Sequence, residues 1–126
     1  MKIAPLLVSA ALLAGPAAAQ DAPSLTLEHR MQLRCSAVFA IVSGEQQRGV
    51  ASAAVYPPLG ERGRKYFAQT GARLMDDLKL SREQVEASMR AEAEAIRQAA
   101  AGSGDRAAYL DNMMRPCLSA LEASGL

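Results

Sequence analysis

Apolar residues along this chain recur every three or four positions in four blocks, the spacing of helices that bury one face. The first block follows Thr26, with Leu27, Met31, Cys35, Val38 and Val42 on a face that Leu33 and Ile41 widen. Thr26 suits the N-cap and Glu28 favours the dipole in the first turn. The pattern fades at Ser43-Gly44, and Gln46 to Arg48 is polar. Gly49 to Val55 either continues the helix after a kink or forms a short separate piece. Tyr56-Pro57-Pro58 ends it, because each proline disfavours helix in the residue before it.

The second block runs from Leu59 to Leu78, with Leu59, Gly63, Phe67, Gly71, Leu74 and Leu78 on one stripe. Glycine costs about 1 kcal/mol relative to alanine inside a helix, so Gly63 and Gly71 predict a close approach by a neighbouring backbone. The third block opens with Ser81 as N-cap and Gln84 three residues on, a capping box, and Leu80 with Val85 forms a hydrophobic staple. Val85, Met89, Ala93, Ile96 and Ala100 face inward, and Glu86, Arg90 and Glu94 face outward. Gly102 and Gly104 separate this helix from the next, with Ser103 or Asp105 as the new cap. In the fourth block, from about Arg106, Leu110, Met113 or Met114, Cys117 and Leu121 keep phase across Pro116. That continuity favours a kink in one helix over the start of another.

Four such blocks predict an all-α fold, a four-helix up-down-up-down bundle spanning residues 26–123. The whole chain has 126 residues, short enough for one domain. An aromatic share of 4% argues against a β-sandwich. Upstream, residues 1–19 read as a secretory signal peptide. Lys2 supplies the charge, Ile3 to Ala14 the apolar stretch, Gly15-Pro16 the break, and Ala17-Ala18-Ala19 the small residues before a cut ahead of Gln20. The stretch falls short of the roughly 20 apolar residues a membrane-spanning helix needs. The expected product is periplasmic and not membrane-embedded after cleavage, with residues 20–25 a flexible leader. Loss of Lys2 from the 14 basic residues balances the 13 acidic ones.

Export to an oxidising compartment predicts a disulfide between Cys35 and Cys117, the only two cysteines. Cys35 lies about two turns into the first helix and Cys117 slightly more than one turn from the end of the last. In an up-down-up-down bundle those helices are antiparallel neighbours and the two levels coincide. Neither cysteine belongs to a Cys-x-x-Cys motif, so the bridge is expected to be structural.

The inventory for chemistry is short. Nucleophilic relays need a base, and the single histidine, His29, lies between Glu28 and Arg30 off the apolar face, as a surface residue would. Met31, Met75, Met89, Met113 and Met114 can ligate soft metals, but several fall on inward stripes, where methionine fills gaps. No cofactor or metal is expected. A carboxylate enzyme would need a pocket lined by at least two of Glu28, Asp76, Asp77 and Asp111, and no pattern points to one. Near-neutral charge removes the case for nucleic acid, and Gly60 and Gly63 lack P-loop spacing.

The basic cluster Arg62, Arg64, Lys65 and Arg73 is the most suggestive surface feature. Arg62, Lys65, Gln69 and Arg73 step along one side of the second helix, next to Tyr66 and Phe67. Arg62, Lys65, Tyr66 and Arg73 are therefore the candidate partner surface, suited to an acidic protein or an anionic envelope component such as a glycan or phospholipid headgroup. The competing reading is a solvated face offset by Glu61 and Asp76-Asp77.

In the stretches RCSAVFAIVSGEQQRG, YPPLGERGRKYFAQTGARLMDD and LSREQV the chain resembles small exported helical proteins of Gram-negative bacteria, a resemblance that implies no activity. More loosely it is similar to the acid-stress periplasmic chaperones, small helical proteins with one disulfide. The cysteine spacing here is much longer, and one histidine in a neutral chain is a poor pH trigger. The residues favour a non-enzymatic periplasmic binding or interaction protein (an inhibitor, immunity factor or adaptor). A stress chaperone and a carboxylate-based enzyme are the alternatives.

Overall fold

The computed structural model describes residues 24–126, so the signal-peptide reading and residues 20–23 of the leader lie outside the described residues. Four helices make up the described chain: α1 (Leu27–Gln47), α2 (Gly60–Leu78), α3 (Arg82–Gly102) and α4 (Arg106–Ala123), with a 3-10 turn at Ala51–Ala53 and no strand. None of these helices is long and apolar enough to cross a membrane.

Local chemistry sets the boundaries. The Thr26 hydroxyl accepts from the His29 N–H at 3.1 Å, and the Ser81 hydroxyl accepts from the Gln84 N–H at 3.2 Å while Gln84 Oε1 returns the bond to the Ser81 N–H at 2.8 Å. Leu80 packs in the same cluster as buried Val85, as a staple requires. Between α3 and α4, Gly104 takes a positive φ of 80° and Asp105, not Ser103, caps α4 by accepting from the Ala108 N–H. α4 continues through Pro116, and Met114 rather than Met113 is fully buried.

Gly49, at φ 72°, lets the chain leave α1, and Gln46 then bonds to the segment before Leu59 at several points. Gln46 Nε2 donates to the carbonyls of Ala53, Tyr56 and Pro57 at 3.2, 3.3 and 2.9 Å, and Gln46 Oε1 accepts from the Leu59 N–H at 3.1 Å. Two consecutive prolines leave this segment short of backbone donors, so a side-chain amide supplies what a backbone ladder cannot. Gln46 belongs to the stretch that pattern alone assigns to solvent.

The single apolar face expected of α1 does not survive. Leu27 is 82% exposed and Met31 is exposed, whereas Cys35, Ser36, Ala37, Val38 and Phe39 are buried in succession. Five consecutive buried residues sweep more than a full turn of helix. The cause is that α1 packs against α2, α3 and, over fewer residues, α4, which covers most of its middle, leaves Arg34 and Ala40 exposed and sets its first turns at the edge.

α2 is rotated slightly from its expected stripe. Tyr66 is buried, with its ring edge-on to Phe39 at 5.3 Å, and Phe67 is left 37% exposed. The two glycines do not receive a neighbouring backbone. A Cβ at Gly63 would stand 3.5 Å from Phe39 Cβ and one at Gly71 would stand 3.6 Å from Val85 Cγ1, ordinary side-chain contacts. α3 buries Val85, Met89, Ile96 and Ala100 as its pattern requires, with Ala93 partly covered.

Candidate functional site

Most of the side chains that can carry chemistry are engaged in holding helices together. Cys35 and Cys117 form the disulfide, with their Cα atoms 5.1 Å apart, and it joins α1 to α4. Further along the same seam, Arg106 Nε donates to buried Glu45 Oε1 at 3.1 Å. This pair, 61 residues apart, leaves no trace in the pattern of either helix.

His29 is not a surface residue: it is 6% exposed. Its Nδ1 accepts from the Thr26 N–H at 3.3 Å, closing the capping box of α1. Nε2 then carries the proton and donates to Asp77 Oδ2 at 2.9 Å, linking the start of α1 to the end of α2. That bond, assisted by Arg73, holds the Asp77 carboxyl below its ordinary range. Sequence placed His29 outside because it lies off the apolar face, but its capping role and the nearby end of α2 bring it in.

Asp111 is similarly occupied. Asp111 Oδ1 accepts from the Tyr56 hydroxyl at 2.8 Å and Oδ2 accepts from Arg115 Nε at 2.9 Å. Burial, then the bond to Asp111, pushes the Tyr56 phenol up to about 12. Of Glu28, Asp76, Asp77 and Asp111, Glu28 lines a groove between α1, α2 and α4. Among the described residues no group of three or more His, Cys, Asp or Glu side chains could hold a metal ion.

The basic cluster of α2 is divided. Arg62 donates to Glu122 Oε1 at 2.8 Å and to the Leu126 backbone oxygen at 2.9 Å. Lys65 pairs with Glu61 one turn earlier at 2.8 Å, and Arg73 reaches Glu28 at 3.0 Å and Asp77 at 3.5 Å. Tyr66, read from sequence as part of the partner surface, is buried in the core instead. Its ring packs edge-on against Phe39, and it lines the groove between α1, α2 and α4. Arg64 differs from its neighbours: among the described residues no carboxylate lies within ion-pair distance of it.

Arg64 stands at one end of a groove of about 300 Å³ between α1 and α2, floored by Ser36, Phe39, Ala40 and Gly63. A second groove, about 590 Å³, lies between α1 and α3 and is lined by Ala37, Met89, Ala93 and Arg97. The two share Ser36, Ala40 and Phe67, so they meet around the exposed Phe67 ring. Ser36 is 1% exposed and its hydroxyl has no hydrogen-bond partner. It lacks even the bond to the carbonyl four residues earlier that helical serines often make. An orphaned buried hydroxyl costs about 1–3 kcal/mol. Gln32 Oε1 is likewise unpartnered, beside a separate groove between α1, α2 and α4.

Sequence reasoning passed over Ser36, Ala40 and Phe67 as a site. A signal was present: Ser36, Ala40 and Gly44 fall at i, i+4 and i+8 on α1, a stripe of small residues that leaves space beside a helix. A search for similar proteins found no match to a protein-family model, a curated protein or a solved structure.

Proposed function

We propose that the protein is a non-enzymatic periplasmic binding or interaction protein, of the inhibitor, immunity-factor or adaptor kind, which contacts its target through the groove around Phe67. The observation that carries this reading is the division of labour among its polar residues. His29, Asp77, Glu45 and both cysteines join helices and Asp111 holds Tyr56, while among the described residues Ser36 has no hydrogen-bond partner and Arg64 no carboxylate within ion-pair distance. The disulfide suits an oxidising compartment and agrees with the signal peptide read at residues 1–19. An up-down-up-down course is supported by α1 meeting α2 end to start, through His29–Asp77 and Gln46–Leu59, and α4 likewise, through Cys35–Cys117 and Arg106–Glu45.

The test is capture from periplasmic extract by the oxidised chain beginning at Gln20, compared with a Phe67→Glu variant of equal thermal stability. One stoichiometric partner, lost with Phe67→Glu, supports the proposal. A spread of unrelated clients retained by the variant would point to a chaperone, and turnover of any substrate would overturn the non-enzymatic reading.

A further inference from the structure

We infer that the face formed by α2 and α3 around Phe67 pairs with a second copy of this chain in an antiparallel, two-fold dimer. The inference goes beyond the binding-protein reading and stands without it.

The face is apolar along its middle. Phe67, Gly71 and Met75 fall one turn apart on α2, and with Ala68, Ala72 and Val85 they line a trough of about 270 Å³ between α2 and α3. Phe67 and Met75 are both exposed. The trough shares Phe67 and Glu86 with the larger groove over Ala40, Met89 and Ala93. One continuous apolar surface therefore runs beside α3, and the Phe67 ring lies where its two parts meet.

The charges along its edge select the occupant. Arg82, Glu86, Arg90 and Glu94 recur at every fourth residue of α3, are all exposed, and line the two parts of the surface. That spacing lets neighbours pair along one helix, yet among the described residues Arg82, Glu86 and Arg90 have no ion-pair partner. Glu94 accepts from Gln98 at 3.0 Å and meets Arg97 at 4.0 Å. Read along α3 the row runs plus, minus, plus, minus, and read backwards it runs minus, plus, minus, plus. It is therefore complementary to its own antiparallel copy, as a two-fold interface requires. With the axis level with the midpoint between Glu86 and Arg90, Glu86 faces Arg90 of the partner subunit and Arg82 faces Glu94 of the partner subunit. A slip of one turn in either direction sets like charges opposite each other, so the row fixes the register as well. Phe67 lines the groove together with Glu86, Met89 and Arg90 and so stands near the level of the axis, an aromatic centre inside a polar edge. The row is about 18 Å long at the helical rise. A face of that length and two helices wide lies at the low end of specific interfaces, about 1,000 Å² in total, so the affinity expected is micromolar.

The experiment is sedimentation equilibrium of the oxidised chain beginning at Gln20, from about 1 to about 500 μM. The average mass is expected to rise from one chain to two across that range. Glu86→Arg or Arg90→Glu alone sets like charges opposite each other at two symmetric places and should weaken association by at least about tenfold. Both positions are exposed, so the helical circular-dichroism spectrum of each variant should match that of the unaltered chain. An equimolar mixture of the two variants should associate as the unaltered chain does, because each supplies the charge that the other lacks. A single-chain mass at every concentration overturns the inference. A dimer that survives both charge reversals unweakened overturns the face, and a mixture that associates no better than its components overturns the antiparallel pairing.

Discussion

Two sides of the same helix behave differently. Toward α4, α1 presents Cys35 and Glu45, each bonded to a partner on the facing helix, and Leu110, Met114 and Leu121 of α4 are buried in the shared core. Toward the Phe67 groove it presents Ser36, Ala40 and Gly44, small residues with space above them and a hydroxyl with nothing to bond. Cys35 and Glu45 on the seam have their partners, and the Ser36 hydroxyl beside the groove does not. Since α1 is common to both, the difference comes from side-chain size and pairing along two faces of one rod, not from the quality of the helix itself. Satisfied contacts specify the fold, and an unsatisfied surface beside them is free to serve recognition.

The contrast is open to attack at its strongest point first. Replacing Cys35 and Cys117 with alanine should cost about 4–5 kcal/mol on the chain-entropy model for a loop this long and lower the melting temperature markedly, with the helical circular-dichroism shape retained below it. An unchanged melting temperature would show that packing alone holds the seam.

Arg106→Ala should cost about 2 kcal/mol, since it strands Glu45 in the core, discounted because Arg106 itself is partly exposed to water. Chemical denaturation would measure it. Glu45→Gln in the same background should recover part of the loss, and failure to do so would mean that the stranded charge is not the cause.

At the other end of α1 the expected effect is one of pH. The Asp77 carboxyl lies below its ordinary value of 3.8, chiefly through the His29 bond. A carboxyl depressed by folding contributes stability above its unfolded value and loses it as the pH falls through the folded one. The stability gap between wild type and Asp77→Asn should therefore be widest above about pH 4 and narrow in more acid solution. A gap that stays constant down the acid limb would assign the effect to packing.

Smallest of all, Ser36→Ala should leave stability unchanged or raise it by up to about 1 kcal/mol, because it removes a buried hydroxyl that bonds to nothing. A clear loss on thermal melting would mean that the hydroxyl is satisfied within the fold, and the contrast between seam and groove would weaken accordingly.

Much of the local structure was legible before any tertiary contact was known. Thr26, the Ser81–Gln84 box and the paired prolines act over three or four residues, and capping chemistry at that range depends little on what packs nearby. The inward face of α3 was legible as well, because α3 buries one stripe. α1 was not. Periodicity assumes one covered side, whereas α1 buries Cys35 to Phe39 in succession and exposes Leu27, so Leu27 and Met31 were placed inside and His29 outside. Tyr66 and Phe67 are adjacent, and which of the two entered the core was settled by the Phe39 ring across the interface. The basic cluster of α2 was visible as charge, but the carboxylates that neutralise most of it include Glu28 and Glu122, far away in the chain.

The sequence by itself determined where the helices lie, how they are capped, and that Cys35 could pair only with Cys117. These depend on residue type and short spacing, or on counting. Tertiary structure alone decided which residues of α1 would be covered, that Gln46 would bond to the proline segment, and that among the described residues Arg64 would be left without a carboxylate partner where Arg62, Lys65 and Arg73 were not. Hydrogen bonds and ion pairs are short-ranged and directional. Which groups they join depends on the few ångströms by which packed helices meet, a distance that the pattern along one chain does not encode.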